Sequence, residues 1–147
     1  KEATEYIDRY FDRYRAVKTF MDNAISEAAR TGYTKTLFGR RRFIPELKSP
    51  VDATQRFGQR LAINTPIQGT AADMIKAAMI NIDRRLVNEG FRSRMLLQIH
   101  DELVFEAAHE EKDVLSAMVR SEMEGVLSLK VPVIVNLKSG PNWRSVE

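Results

Sequence analysis

The sequence contains no cysteine, and this absence removes several classes of protein at once. Without thiols there is no disulfide framework, no cysteine-based zinc site and no thiol nucleophile. A cysteine-free chain fits a reducing compartment, and we expect a cytoplasmic protein. No stretch is long and apolar enough to span a membrane, and no signal-peptide pattern opens the chain, so we expect no membrane partner.

Histidine is nearly as scarce, with only His100 and His109 in 147 residues. A His-Asp metal phosphohydrolase needs several more histidine and aspartate ligands, so that class is excluded. No serine, histidine and acid are grouped as a nucleophilic triad requires. The length suffices for one domain with a sizeable core. Because the first residue is Lys1 and helical periodicity starts almost at once, we expect a piece of a longer protein.

Positive charge is concentrated in one part of the chain. The segment 30–60 holds eight basic residues against two acidic ones, a net charge of +6. The whole chain carries +3, so the remainder carries −3. A basic segment on a neutral or acidic body is typical of a surface that binds a polyanion, nucleic acid above all. A solvated basic face is the alternative, and charge alone leaves both interpretations open.

The first third of the chain is predicted to be helical and then to turn through a hairpin. Apolar residues at helical spacing predict a helix that begins at an N-cap, Thr4, and ends at Gly32, with a break into two helices near Arg15 as an alternative. The segment 33–44 alternates and turns at Gly39, which predicts a basic β-hairpin or extended loop. We interpret the apolar helix stripe as core rather than as a platform for stacking bases; it comprises Ile7, Tyr10, Phe11, Tyr14, Val17, Phe20, Met21, Ile25 and Ala28.

The remaining chain combines helices with short strands. A helix is predicted from Asp52 to about Asn88, and Pro66 interrupts it because proline removes a backbone donor and disfavours helical geometry at the preceding residue. We expect a kink there, or two helices meeting between 64 and 69. The predicted fold class is α+β, with helices packed on an antiparallel sheet. The other predicted elements are strands 94–99, 103–107 and 131–137, and a helix 110–127 with Val114, Leu115, Met118, Val119 and Met123 facing inward.

The stretch LLQIHDELVFE, residues 96–106, places three titratable side chains between two apolar runs. If His100 and Asp101 form a two-residue connection, the tip of a hairpin projects the Asp101 carboxylate with Glu102 beside it. Mg²⁺ prefers few carboxylates, retained waters and substrate phosphates, so one aspartate on a rigid tip is half of such a site. The other interpretation is an ordinary turn with a solvated glutamate, because aspartate is common in turns.

Arg60, Asn64 and Gln68 recur at a spacing of four, which places them on one face of a helix. All three side chains can donate hydrogen bonds. The minor groove of DNA offers acceptors common to every base pair, so such a face can check base-pair shape without choosing a sequence. Three ordinary surface polar residues are the alternative interpretation.

Several stretches resemble, in order, the sequence motifs of family A DNA polymerases, the bacterial DNA polymerase I group. QIHDELVFE is similar to the third motif of that family, whose usual form Gln-Val-His-Asp-Glu makes Ile99 a conservative departure. GYTKTLFGRRRFIPEL resembles the basic segment at the end of its fingers, RLAINTPIQGTAADMIKAAMI its palm helix, and VPVIVNLKSGPNW its C-terminus. The resemblance covers residues 1–147 without a visible gap, and it implies that 1–53 is the last part of the fingers and 54–147 most of the palm, with an antiparallel palm sheet.

The resemblance implies template-directed DNA synthesis, with Asp101 as one of two catalytic aspartates that hold a pair of Mg²⁺ ions. It implies that Glu102 is an auxiliary catalytic carboxylate and that His100 approaches the primer-terminal nucleotide. For Gln98, structural support and DNA contact remain equal alternatives. The implied partners are primer-template DNA and a deoxynucleoside triphosphate (dNTP), and the candidate DNA-binding residues are Arg60, Asn64, Gln68, His100, Gln98, Arg40 and Arg41, of which the last two, with Arg42, face template phosphate or neighbouring protein.

Two other motifs of this family have no counterpart in the sequence: the strand with the second catalytic aspartate and the fingers helix that grips the nucleotide. We therefore expect the chain alone to be inactive and to depend on the remaining fingers, palm and thumb of the same polypeptide. An open sheet edge or exposed apolar face should also make it self-associate. The competing class is a non-catalytic nucleic-acid-binding or assembly module that keeps the fold.

Overall fold

The structure is a computed structural model that describes residues 2–146. The chain forms two compact units, the first extending to Thr70 and the second beginning at Ala71. Within the described residues, helices are combined with two antiparallel sheets of two strands each, which confirms the α+β class. No helix in this part of the chain has both the length and the apolar character that crossing a bilayer requires.

The first unit is mainly helical and contains one small hairpin. Its elements are α1 (Glu2–Arg13), α2 (Arg15–Thr31), β1 (Tyr33–Lys35), β2 (Arg41–Phe43), a 3₁₀ turn (Pro45–Lys48), α3 (Asp52–Asn64) and a π-helical turn (Thr65–Gly69). The second unit contains the other hairpin between two helices. Its elements are α4 (Thr70–Asn88), which begins at the boundary, β3 (Arg94–Ile99), β4 (Glu102–Glu106), a 3₁₀ turn (His109–Glu111), α5 (Lys112–Glu124) and a last 3₁₀ turn (Trp143–Ser145).

The limits of the first two helices follow from local chemistry. Tyr14 separates α1 from α2, which confirms the break near Arg15. Gly32 ends α2 in the left-handed conformation at φ +81°, a geometry that glycine adopts without a steric penalty. The prediction of Thr4 as N-cap is wrong, because α1 already begins at Glu2, whose negative charge is favourable in a first helical turn.

The core of the first unit is small and lies between α2, the 3₁₀ turn and α3. Its buried members are Ala28, Ile44, Leu47 and Ala62. The interpretation of the apolar stripe as core is wrong for α1, in which no described residue is buried and Ile7 is 55% exposed. On α2, Val17 and Phe20 are exposed too, and only Ala28 is buried. The physical reason is that α1 contacts α2 but packs on no other element of this unit closely enough to cover its apolar face.

The core of the second unit joins α4, α5 and one face of the β3–β4 hairpin. Its buried residues are Ala78, Ile82, Leu86, Leu115, Met118 and Val119, and Met95, Leu103 and Phe105 of the hairpin pack against them. Val114 was predicted to face inward but is 61% exposed. It lies about 100° around the helix from Leu115 and so falls outside the buried face.

The prediction of a strand over 131–137 is also wrong. No described residue pairs with this segment in a β-ladder, and a strand is only stable when a neighbour accepts and donates its backbone hydrogen bonds. The segment is held instead by a side chain, because the Val135 N–H donates to Glu124 Oε1 at 2.9 Å.

A single carboxylate closes the base of the β3–β4 hairpin. Glu111 accepts hydrogen bonds from the Arg92 N–H at 2.9 Å, the Ser93 N–H at 2.9 Å and the Ser93 hydroxyl at 2.6 Å. The Ser93 oxygen in turn accepts from the Ala108 N–H at 3.0 Å. Residues before β3 and after β4 are therefore tied together, and these bonds, the one from the Arg92 backbone foremost, lower the pKa of Glu111.

Replacing Glu111 by glutamine should lower the melting temperature at neutral pH, because the amide keeps one acceptor and loses the charge. A carboxyl with a lowered folded-state pKa stabilises fully above its unfolded value near 4.5, and this stabilisation declines as the pH falls through the lowered value. The Glu111→Gln difference should therefore shrink in acid. Thermal denaturation between pH 3 and 7 measures this, with Asp113→Asn in the first turn of α5 as the control; a pH-independent difference would contradict the assignment.

Candidate functional site

The His-Asp corner forms a two-residue hairpin connection, as predicted. β3 and β4 pair in antiparallel register from Arg94 opposite Glu106 to Ile99 opposite Glu102, which leaves only His100 and Asp101 between them. His100 has φ +53°, and within residues 2–146 it is the only residue other than glycine with a positive φ. Tight hairpin turns need such left-handed positions, so the corner has a defined backbone geometry.

Gln98 stabilises this corner. Its Nε2 donates a hydrogen bond to the backbone carbonyl oxygen of His100 at 2.9 Å. The bond crosses the start of the turn and satisfies a carbonyl that has no place in the strand ladder. This contact supports the structural alternative for Gln98.

A β-bulge at Leu96 sets the faces of the hairpin. Met95 lies opposite Phe105, but the next pair is Leu97 opposite Val104, so Leu96 is an extra residue in β3. Bulges of this kind increase local twist and redirect the side chains that follow. Here the bulge brings Leu97 to the face away from the core.

The two faces of β4 differ in chemistry, as the alternation predicted. Leu103 and Phe105 pack against the core of the second unit. Glu102 and Val104 lie on the opposite face, and Glu102 is exposed. Gln98, opposite Leu103, is on the core-facing side but lies beyond the core, near the tip.

The carboxylates of the corner are available to a cation. Asp101 and Glu102 are exposed, and neither has an ion-pair partner among the described residues. Glu106, at the base of the hairpin, differs because Arg94 Nη2 is 3.0 Å from its Oε2. Carboxylate oxygens suit a hard cation such as Mg²⁺, so Asp101 fits one position of its ligand set. Within residues 2–146, however, no group of three or more histidine, cysteine, aspartate and glutamate side chains is close enough to hold a metal ion.

The predicted donor face is in the first unit. Arg60, Asn64 and Gln68 are all exposed, whereas Ala62 and Thr65 are buried between them in sequence. The break at Pro66 is confirmed, and it takes the form of a π-helical turn. π-helical turns within α-helical sequences are rare and occur frequently at functional sites. On α3, the Arg60 guanidinium lies 5.7 Å from the centre of the Phe57 ring.

The basic hairpin β1–β2 gives two of its arginines partners within the chain. Arg40 Nη2 donates to the carbonyl oxygen of Gly69 at 3.1 Å. The Arg41 guanidinium lies 4.8 Å from the centre of the Tyr33 ring, within the range of a cation–π contact. Both arginines are exposed as well, so partners within the chain are compatible with a basic surface.

Three buried threonines near the π-helical turn were missed by sequence reasoning. Thr34, Thr36 and Thr70 are at most 8% exposed. The Thr34 hydroxyl donates to a backbone carbonyl near the end of α3, and the other two hydroxyls accept from backbone N–H groups of the hairpin. A signal for them exists in the sequence, because Pro66 must leave a helical carbonyl without its usual donor. Thr34, which supplies a donor to that carbonyl, is 28 positions away in the sequence, so no local pattern reveals the contact.

Comparison with known proteins places these features in a family. The family model described as DNA polymerase family A matches residues 1–145. DNA polymerase I of Bacillus subtilis is 48% identical over 143 residues, which is 97% of this chain and 16% of that protein. DNA polymerase I of Caldicellulosiruptor bescii is 45% identical over 143 residues, 97% of this chain and 17% of that protein.

A solved structure gives the same result for the fold. The POL domain of Pol1 from M. smegmatis, in complex with DNA primer-template and dNTP, has a TM-score of 0.86 and 44% sequence identity, and the match covers 89% of this chain and 23% of that one. The chain therefore belongs to DNA polymerase family A. It spans about a sixth of the length of the bacterial DNA polymerase I proteins that it matches.

Proposed function

We propose that the polypeptide to which this chain belongs extends a DNA primer by template-directed transfer of nucleotides. The observation that carries the proposal is the Asp101 carboxylate, which is exposed and without an ion pair in the described residues at the tip of a two-residue hairpin. Membership of family A supports it, as does the similarity to a solved polymerase domain in complex with primer-template and dNTP.

In this proposal Asp101 is a ligand of divalent metal, with Glu102 as an auxiliary carboxylate beside it. A pair of Mg²⁺ ions supplies, when bound, activation of the primer 3′-hydroxyl and stabilisation of the leaving pyrophosphate. The remaining ligands come from another part of the same polypeptide, because the described residues contain no sufficient cluster. His100 and Gln98 fix the backbone that carries Asp101. In this proposal the His100 side chain faces the primer-terminal nucleotide.

The donor face has a separate role in the same proposal. Arg60, Asn64 and Gln68 donate hydrogen bonds to the minor groove close to the primer terminus. The acceptors there, purine N3 and pyrimidine O2, occupy similar positions in all correct base pairs. A mispaired terminus displaces them, so these donors favour extension of a correctly paired primer. The exposure of all three side chains supports this role.

We also propose that residues 1–53 are the last part of the fingers and 54–147 most of the palm. The division into compact units after Thr70 is a different property, because α3 packs on α2 and on the 3₁₀ turn Pro45–Lys48 that precede it. The functional assignment follows the site instead, since the donor face begins on α3.

Asp101→Asn in the intact polypeptide should abolish Mg²⁺-dependent nucleotide addition and leave primer-template binding largely unchanged, because the amide is a poor ligand for a hard cation. Glu102→Ala should have the milder effect. Single-turnover extension and a binding titration on the same preparations measure the two quantities. Near-normal extension by Asp101→Asn would sink the metal assignment.

The 147-residue chain alone should not extend a primer, since one aspartate cannot assemble a metal pair. Extension assays on the purified chain, with the Asp101→Asn chain as a control for contaminating polymerase, test this. The exposed edges of the β3–β4 hairpin and the apolar residues on its outer face should also make the chain self-associate. Primer extension by the chain that is lost in the Asp101→Asn chain would contradict the expected inactivity. Sedimentation as a monomer over a wide concentration range would contradict the expected self-association.

Gln68→Ala and Arg60→Ala should reduce discrimination against mismatched primer termini. Each removes a groove contact worth about 1–3 kcal/mol, and the loss falls mainly on the matched primer, whose acceptors are in place. The measurement is extension efficiency on matched and mismatched primers for each variant of the intact polypeptide. Equal losses on both primers for Gln68→Ala would return this helix face to an ordinary polar surface.

A further inference from the structure

The π-helical turn Thr65–Gly69 depends on groups that the β1–β2 hairpin supplies. Pro66 has no N–H, so the carbonyl oxygen of Ala62, four residues earlier, lacks its α-helical donor. The buried hydroxyl of Thr34 on β1 donates to that oxygen at 3.4 Å. The hairpin therefore supplies a donor where the helix cannot.

A second contact joins both ends of the turn to the loop of the hairpin. The Thr70 hydroxyl donates to the Pro66 carbonyl oxygen and accepts from the Leu37 N–H, the latter at 2.9 Å. One buried hydroxyl thus bridges the start of the turn, the start of α4 and the hairpin loop.

Arg40 makes the third contact, directly beside Gln68. Its Nη2 donates to the Gly69 carbonyl oxygen at 3.1 Å, and its own N–H donates to Thr36 Oγ1 at 3.2 Å. A Cβ on Gly69 would lie 2.7 Å from Thr36 Cγ2, so the hairpin packs against Gly69 with no room for a side chain. Gly69, which follows Gln68, is therefore fixed by the hydrogen bond to its carbonyl oxygen and by the packing of Thr36 at its Cα.

The conformation of this turn decides where Gln68 points. On a regular α-helix, positions four apart drift by about 40° per step, so the third member of such a series is about 80° from the first. A π-helical turn contains more residues per turn, so each residue rotates by a smaller angle than on an α-helix and the drift is reversed. Most of the π-helical turn lies between Asn64 and Gln68. Its smaller rotation per residue therefore brings the side-chain direction of Gln68 back toward that of Arg60.

We propose that Arg40, with Thr36, is a positioning residue: it holds the π-helical turn through the Gly69 carbonyl so that Gln68 faces the same way as Arg60 and Asn64. In this role Arg40 acts on the reading of the primer terminus and not through template phosphate. The inference rests on the proposed function, because it assigns Arg40 to the donor face that checks the terminal base pair.

The first experiment compares Arg40→Ala with Gln68→Ala in the intact polypeptide, on matched and mismatched primers. Arg40→Ala should lower the ratio of matched to mismatched extension by several-fold, as Gln68→Ala does, and the double variant should lose no more than the more severe single variant. The salt dependence of primer-template binding should stay that of the parent. Arg42→Ala is the charge-matched control and should leave the ratio unchanged.

A second pair of variants tests the packing without touching the arginine. Gly69→Ala introduces the Cβ that meets Thr36 Cγ2 and should also lower the ratio. Thr36→Ser removes that methyl group and keeps the oxygen that accepts from the Arg40 N–H. The Gly69→Ala/Thr36→Ser double variant should therefore recover the ratio of the parent, which a general loss of stability would not predict.

Two results overturn the inference. One is an Arg40→Ala variant that loses matched and mismatched extension equally and has a smaller salt dependence of binding, as expected of a phosphate contact. The other is an unchanged ratio in Arg40→Ala or in Gln68→Ala. If the parent extends primers and Gln68→Ala alone loses discrimination, only the inference fails. If the parent polypeptide does not extend primers, the proposed function itself is wrong.

Discussion

A missing backbone donor organises the first unit. Pro66 cannot donate to Ala62, and the chain responds with a π-helical turn and with the buried hydroxyl of Thr34, which donates to Ala62 from outside the helix. Unpaired backbone groups are costly in a folded interior, so this local defect requires a neighbour with polar groups at fixed positions. The β1–β2 hairpin is that neighbour. Its short strands therefore have a structural purpose beyond the charge that they carry.

The second unit presents charged side chains at the tip of an apolar hairpin. The core-facing side chains of β3 and β4 hold the hairpin on α4 and α5, and Glu111 closes its base. At the other end Gln98 binds the carbonyl of the residue with positive φ. The Asp101 carboxylate is thus exposed while the backbone on both sides of it is constrained.

The sequence allowed prediction where one residue determines its own geometry. Gly32 ends α2, Pro66 breaks the second helix, and the His-Asp pair connects two alternating strands; the structure confirms each of them. Prediction failed where the outcome depends on a distant partner. The segment 131–137 has strand-like residues but no pairing strand in the described chain, and alternation alone cannot supply one.

The candidate site follows the same division. The corner and the spacing of the donor face are local patterns, and both could be found from the residues. The contacts of Glu111 join positions 18 residues apart, and those of Thr34 and Arg40 span nearly 30. Such pairs have no periodicity, so hydrogen bonds between side chains and distant backbone groups appear only in the folded structure.

The bulge at Leu96 reverses which face of the β3–β4 hairpin the odd-numbered residues of β3 occupy. On the base side of the bulge, Met95 points to the core; on the tip side, Leu97 points away from it. A bulge increases the local twist and redirects the side chains that follow it. The base of the hairpin is therefore constrained by its packing against α4 and α5, whereas the tip is constrained by the hydrogen bond from Gln98 and the backbone of His100.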